Sequence, residues 1–179
     1  MMSRGYVIKH FFLYVISIII FFLLQTTVFQ WISLAGVVPN LLVIIVVTTG
    51  IFSGSVPGIF CGLICGLLVD CMYGNVIGLC ALFYMLDGYL AGIVHRFYSP
   101  QEEYAIPLFL IGLGDFIYNF LYYLAEFLLR NRQEFIHYFL TIMLPEMVYT
   151  LLAAVFFYKL LFLIHKKIVE GGKKKEEAQ

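Results

Sequence analysis

Long runs of apolar residues, separated by short polar breaks, dominate the pattern of the chain. A helix rises 1.5 Å per residue and crosses the hydrocarbon core of a membrane with about 20 residues. The uncharged stretch 38–69 would form one helix of about 48 Å, so we place a break at the segment SGSVPG, residues 53–58. The pattern then predicts an all-α, polytopic membrane protein with six transmembrane helices, at residues 11–29, 39–52, 56–73, 76–94, 105–129 and 138–163.

Composition supports this class. Of the 179 residues, 63% are hydrophobic and 12% are charged, whereas soluble domains are about 45–50% apolar and 25% charged. A soluble chain of this length has too little interior for so much apolar surface. We predict one transmembrane domain, residues 1–165, and a charged tail, residues 166–179, with no partner among nucleic acids.

Basic residues concentrate at the two ends of the chain. Six of the eleven lie between Lys159 and Lys175, and Arg4 and Lys9 precede the first span. Cytoplasmic segments next to spans carry an excess of Lys and Arg. Six spans place both termini on one side, so we expect both termini in the cytoplasm. The tail also suits weak attraction to anionic lipid.

Glycines recur every fourth residue in the third span. Gly58, Gly62 and Gly66 share one helical face, and Gly88 and Gly92 form a second pair in the fourth span. Small residues at this spacing let the backbones of two membrane helices approach closely. The groove serves either packing inside the bundle or an interface with another chain, for which a second copy is one candidate.

Three acidic residues outside the fifth span interrupt apolar runs, although a charge in the middle of a membrane is costly. Asp70 lies near the outer end of its span, where we expect contact with headgroups or water. Asp87 lies in the middle of a span and needs a partner, a water-filled pocket or a proton. Glu146 follows Pro145, whose ring frees the carbonyl of Thr141.

The fifth span carries a polar stripe. The members of this stripe fall within about 60° of one another on a helical wheel, so we expect them to face protein or a cavity rather than lipid. Such a stripe suits a small-molecule or proton pathway, or a scaffold whose polar groups fix helix contacts. Because no basic residue and no internal repeat accompany it, the scaffold is favoured. The stripe consists of Asp115, Asn119, Tyr122 and Glu126.

Motifs of enzymes and metal sites are missing from the sequence. HExxH and GxSxG do not occur, and the four cysteines lack the spacing of zinc ligands and suit small buried apolar residues. The paired glutamates of QEEY, residues 101–104, resemble those of intramembrane CAAX-type proteases, but the arginine of that motif is absent. We therefore predict a protein that is not an enzyme, with no catalytic residues, cofactor or metal site.

Four segments in a fixed order resemble the MreD family of rod shape-determining membrane proteins. QTTVFQ closes the first span, and PNLLVIIV, residues 39–46, opens the second with Pro39 at the first helical position, where its missing N–H costs nothing. A glycine-rich run to Asp70 and GLCALFYMLDGYLAG, residues 78–92, follow. The family usually carries Asp after this proline, whereas the chain has Asn40, a residue that can still cap a helix or form hydrogen bonds.

The resemblance implies a non-enzymatic scaffold of the cell-elongation machinery in the bacterial cytoplasmic membrane. MreD-like proteins bind MreC and act with the MreB filament, the RodA glycosyltransferase and its partner transpeptidase in lateral peptidoglycan synthesis. The family fold is similar to the six-helix S-components of ECF transporters. A vitamin-binding subunit of such a transporter is therefore the alternative function. The AxxxA docking pattern of those subunits is absent from the first span.

Overall fold

The computed structural model describes residues 4–33, 36–74, 76–96, 105–130 and 135–176. All regular elements within these ranges are helices, which confirms the predicted all-α class. Six helical segments follow one another: α1 (Arg4–Leu23, continued by a π-helical turn Leu24–Val28 and by Phe29–Trp31), α2 (Leu41–Ser53), α3 (Ser55–Tyr73), α4 (Leu79–Val94), α5 (Ala105–Arg130) and α6 (Leu144–Glu176, preceded by Phe135–Tyr138 and a π-helical turn Phe139–Met143).

Four of these segments are long and apolar enough to cross a membrane, namely Tyr14–Trp31, Ser55–Tyr73, Ala105–Ala125 and Phe135–Ile164. The other two, α2 and α4, are shorter apolar helices. The six helical segments occupy the same parts of the chain as the six predicted spans, and the crossing of the membrane by all six stays a prediction. The last helix continues into the predicted charged tail as far as Glu176.

The short helix α2 lies at the centre of the fold and packs against each of the other five helices. Each residue from Leu41 to Ile51 is buried. This follows from its sequence, LLVIIVVTTGI, because a helix that is apolar on all sides has no face that requires water. With 13 residues the helix is about 20 Å long, shorter than the hydrocarbon core of a bilayer.

The beginning of α2 differs from the prediction. Pro39 does not occupy the first helical position, because the helix begins at Leu41 and Asn40 is its N-cap. The side-chain oxygen Oδ1 of Asn40 accepts a hydrogen bond from the backbone N–H of Val43 at 3.2 Å. An asparagine is a preferred N-cap residue for this reason, so the cap sets the helix start and leaves Pro39 outside it.

A glycine separates α2 from α3. Gly54 has φ +94° and ψ −179°, a conformation that side-chain-bearing residues rarely adopt. Its N–H donates to the carbonyl of Gly50, and its own carbonyl accepts from the N–H of Gly58. The predicted break within residues 53–58 therefore falls at this glycine, and α2 and α3 fold back against each other there.

Helices α3 and α4 approach each other at backbone distance along the glycine line. A methyl group built at Gly62 would meet the backbone carbonyl of Tyr84, and one built at Gly66 would meet the backbone of Ala81. Gly58 and Gly88 face each other in the same way. The glycine line is thus occupied by contact inside the bundle.

Gly92 belongs to the same contact, because a methyl group there would meet the backbone of Ser55. The facing positions advance along α3 while they recede along α4, so the two helices are antiparallel. We call this contact the glycine seam, defined by Gly58, Gly62, Gly66, Gly88 and Gly92. Gly50 of α2 also lies against it, next to the carbonyl of Gly88.

Two π-helical turns interrupt the long helices, and the second ends at Met143, two residues before Pro145. There the N–H of Leu144 bonds to the carbonyl of Phe139, five residues earlier. Proline has no N–H, and its ring clashes with the carbonyl four residues back, that of Thr141. A wider turn is a known adjustment to such a clash in membrane helices, so the π-helical turn lets Pro145 sit within a continuous helical segment.

We predict that Gly62→Ala lowers the free energy of unfolding by about 1–3 kcal/mol or more, because the added methyl group would force backbone apart. The matched control is Gly112→Ala on α5, since a methyl group there would meet only the movable side chain of Leu151 at 3.2 Å. Unfolding of the purified variants in mixed micelles measures both. Equal stability of the two variants would contradict the glycine seam.

Candidate functional site

A group of polar side chains lies among the apolar helices where α2, α4, α5 and α6 meet. Each helix contributes at least one of them, and most are buried. Unlike the surrounding core, these side chains can donate or accept protons and hydrogen bonds. We name the group the polar core, defined by Asn40 of α2, Tyr84 and Asp87 of α4, Asp115 and Asn119 of α5, and Glu146 and Thr150 of α6.

Asn40 is the most highly connected member of the polar core and is 2% exposed. Its N–H donates to Oγ1 of Thr150 at 3.0 Å, and its side-chain oxygen accepts from the hydroxyl of Tyr84 at 2.9 Å as well as from Val43. One residue thereby joins α2 to α4 and α6. The neighbouring N–H of Leu42 donates to the side-chain oxygen of Gln25 at 3.2 Å, which ties α1 to the same helix end.

Asp115 is fully buried beside other members of the polar core. Its carboxyl interacts with Thr150, Asn40, Asp87 and Glu146, although neither of its oxygens forms a hydrogen bond of regular geometry within the described part of the chain. Two of these four neighbours are acidic themselves. Like charges in a medium of low dielectric constant repel strongly, so this carboxyl lies in a setting that disfavours a second negative charge.

Asn119 lies one turn along α5 from Asp115 and is 3% exposed. Its amide donates to the backbone carbonyl of Asp115 at 3.1 Å, and its side chain interacts with Glu146 of α6. Glu146 is half-buried, unlike the two aspartates. The polar core therefore extends from the closed interior between α4 and α5 towards a less buried position on α6.

Asp87 projects from α4 into the same interior and is 2% exposed. Neither of its carboxyl oxygens has a hydrogen-bond partner among the described residues. Its carboxyl carbon would lie 3.8 Å from a methyl group built at Gly114 of α5, beside Val47 and Val43 of α2. The sequence analysis required a partner, a water-filled pocket or a proton for this acid. The described part of the chain supplies no hydrogen-bond partner to its carboxyl group.

The prediction that Asp70 contacts headgroups or water is wrong. Asp70 is 2% exposed and accepts hydrogen bonds from three backbone N–H groups at the start of α4, those of Gly78 at 2.9 Å, Cys80 at 3.0 Å and Ala81 at 3.1 Å. The first N–H groups of a helix have no partner within it, and its amino end favours negative charge. The end of α3 packs against the start of α4, and this contact buries the carboxyl group of Asp70.

The structure describes the side chains of three members of the polar stripe of α5. Asp115 and Asn119 face protein, while Tyr122 is half-buried and stacks on Tyr118 with ring centroids 6.2 Å apart. The side chain of Glu126 lies outside the described residues, as does the QEEY segment. The stripe joins the polar core through its first two members.

Three contributors to these contacts were missed by sequence reasoning as site residues, namely Gln25, Tyr84 and Thr150. Gln25 and Thr150 carry a signal in the sequence, because each is a polar residue within a long apolar run, and Thr150 follows Glu146 by one helical turn. Tyr84 gives no such signal, since aromatic residues are common throughout the chain. Only the packing of α4 on α2 brings its hydroxyl to Asn40.

Metal-binding geometry does not occur within the described residues, where no three side chains of His, Cys, Asp or Glu come together to hold an ion. Cys61, Cys65 and Cys80 are buried and Cys71 is exposed, all four as free thiols. The arrangement of the polar core instead offers buried acceptor oxygens, and hydrogen bonds that connect four helices.

Long apolar helices around a small polar interior define a helical membrane protein. Residues 7–168 match the family model described as rod shape-determining protein MreD. Because the match covers nearly the whole chain, the chain belongs to the MreD family, as the order of its motifs had indicated. This is a family of shape-determining proteins and not a known family of enzymes.

No curated protein and no solved structure matches the chain. The expected likeness to the S-components of ECF transporters is therefore not confirmed, and the family match does not favour a vitamin-binding subunit.

Removal of the Asp70 carboxylate should destabilise the start of α4. We predict that Asp70→Ala lowers the free energy of unfolding by about 2 kcal/mol or more, because three buried N–H groups lose their acceptor. The free energy of unfolding of Asp70→Asn should lie between those of the wild type and Asp70→Ala, since the amide oxygen can still accept a hydrogen bond. Cys71→Ala, an exposed neighbour on the same helix, is the control for unfolding in mixed micelles. An equal effect of Asp70→Ala and Cys71→Ala would refute the capping role.

A double-mutant cycle tests the hydrogen bond between Asn40 and Tyr84. We predict that Asn40→Ala and Tyr84→Phe show a coupling free energy of about 0.6–1.7 kcal/mol in their unfolding, the range of such bonds between membrane helices. Tyr149→Phe serves as control, because its hydroxyl bonds to the carbonyl of Ile32 instead, and its effect should add to that of Asn40→Ala. A coupling near zero for the first pair would contradict the contact.

Proposed function

We propose that the protein is a non-enzymatic scaffold of the bacterial cell-elongation machinery. It binds MreC through its membrane helices and acts with RodA, the elongation transpeptidase and, indirectly, MreB to organise lateral peptidoglycan synthesis. The observation that carries the proposal is the match of residues 7–168 to the MreD family. The helical packing supports it, because the helices offer large apolar surfaces to lipid and to partner helices.

The proposed scaffold is a single six-span domain, residues 1–165, in the bacterial cytoplasmic membrane, with both termini in the cytoplasm. The basic residues at both ends of the sequence support this orientation. The short helices α2 and α4 fit this topology because α2 is enclosed by the other helices, and α4 packs along its length on α3. Much of the surface of α2 and α4 then contacts protein rather than lipid.

The glycine seam supports internal packing rather than a partner interface, because its glycines are already in backbone contact. Partner helices, including a second copy, must then use the outer faces of the bundle. These faces carry large exposed apolar side chains on α5 and α6, among them Phe109, Phe116, Leu152 and Phe156. Exposed apolar side chains of this kind suit both lipid and a partner helix.

We predict that depletion of the protein converts rod-shaped host cells towards spheres, because lateral wall synthesis loses its organisation. Cell length and width under the microscope provide the measurement. Wild-type protein supplied in trans should restore the rods, and Gly62→Leu, which disrupts the glycine seam, should not. Leu63→Ile, a neighbouring change that keeps an apolar side chain, is the control and should complement. Unchanged cell shape after complete depletion would overturn the proposed role.

Purification from native membranes in mild detergent tests the partner. Tagged protein should recover MreC, identified by mass spectrometry, whereas an unrelated tagged membrane protein should not. Recovery of paired ATPases with a membrane coupling subunit, and no MreC, would count against the scaffold.

A further inference from the structure

Two carboxyl groups of the polar core share a closed space between α4 and α5. Asp87 is 2% exposed and Asp115 is fully buried, and the two interact with each other. None of their four oxygens forms a hydrogen bond of regular geometry within the described residues, and the polar side chains next to Asp115 are those of Thr150 and Asn40. The fold thus brings together four buried acceptor atoms, and the two of Asp87 have no donor among the described residues although buried acceptors normally have one.

The groups that face this pair do not neutralise it. Glu146 of α6 interacts with Asp115 and is itself acidic, and α2 contributes the uncharged Asn40. The hydroxyl of Tyr84 of α4 donates its hydrogen bond to Asn40, and Tyr118 of α5 interacts with Glu146. No basic side chain within the described residues bonds to either aspartate. Two ionised carboxylates in this setting would repel each other without compensation.

Packing next to Asp87 is tight at Gly114 of α5. A methyl group at Gly114 would already lie 3.1 Å from Val47, 3.4 Å from Val43 and 3.8 Å from the carboxyl carbon of Asp87. A metal ion needs several oxygen ligands around it, and the described residues hold no group suited to a metal. A proton needs no such volume, and a shared or bound proton removes the repulsion between carboxyls.

We propose that Asp87 and Asp115 form a proton-binding pair in the interior of the bundle, holding at least one proton in the folded protein at neutral pH. The site arises because α4 and α5 each place one acid on the face that meets the other helix. Buried acids within membrane helices often mark positions where protons are bound or passed on. The half-buried Glu146 lies next to this pair and links it to the less buried end of the polar core. The inference does not depend on the proposed scaffold role.

Infrared spectroscopy of the full chain in lipid vesicles tests the pair directly. At neutral pH the wild-type spectrum should contain the carbonyl stretch of an un-ionised carboxylic acid. The double variant Asp87→Asn, Asp115→Asn should lose that band. Asp70→Asn is the control and should keep it, because the Asp70 carboxyl bonds to the N–H groups of Gly78, Cys80 and Ala81 and is not a member of the pair. The double variant and the Asp70→Asn control are also measured with Glu146→Gln, which removes the neighbouring acid of the polar core from the spectrum, and Glu146→Gln alone should keep the band.

Absence of the band in the wild type, or its survival in the double variant, would overturn the proposal. A carboxylate spectrum that changes when sodium is replaced by choline would overturn it too, in favour of a bound metal ion. The single variants Asp87→Asn and Asp115→Asn keep the test decisive if the double variant does not fold, since each should weaken the band. An unchanged band in both single variants would again contradict the pair.

Unfolding in mixed micelles provides a second readout. A folded state that holds a proton which the unfolded state releases loses stability as the pH rises. The wild type should therefore lose stability from about pH 4, where an aspartate of the unfolded chain releases its proton, up through neutral pH, and the double variant should show a flatter dependence over this range. A wild-type slope identical to that of the double variant would count against proton binding by the pair.

Discussion

The hydrocarbon interior of a membrane offers no water to backbone N–H groups, so each helix end that is buried there must find its acceptors within the protein. This constraint acts most strongly on α2, which is short and enclosed by all five other helices. Its first N–H groups are met by Asn40 itself and by Gln25 of α1, while the N–H of Asn40 reaches Thr150 of α6. The start of α4 meets the same demand through Asp70. Helix ends thus organise many of the polar contacts of the interior.

Enclosure of α2 depends in turn on how closely α3 and α4 approach. Because the glycine seam brings their backbones into contact, the two helices form a compact antiparallel pair against one side of α2. Asp87 of α4 lies beside Gly114 of α5 and interacts with Asp115 of the same helix. The polar core is therefore a consequence of tight backbone packing on one side of α2 and of capping at its end.

Much of the fold could be predicted from the sequence because its information is local. Apolar runs identified the helices, the segment 53–58 contained the break at Gly54, and the i, i+4 spacing of glycines indicated a close helix contact. Asp115 and Asn119 were recognised as facing protein from their positions on one side of α5. The positions of Pro39 and Asp70 were not recognised, because each depends on which group accepts or donates a hydrogen bond at a helix end. Because Asn40 is the N-cap, α2 begins after Pro39. Asp70 lies near the end of α3, and it is buried because that end packs on the start of α4.

Hydrophobic length and motif order are properties of the amino-acid sequence, and they identify the class of protein, the helical segments and the membership in the MreD family. Which residues meet depends on how the helices pack. Tyr84 and Asn40 are separated by 44 positions, and Asn40 and Thr150 by 110, so no local pattern links them. Likewise, Asp87 and Asp115 become a pair only when α4 packs on α5. Burial and proximity, which set the electrostatic properties of an acid, arise from packing between helices that are distant in sequence.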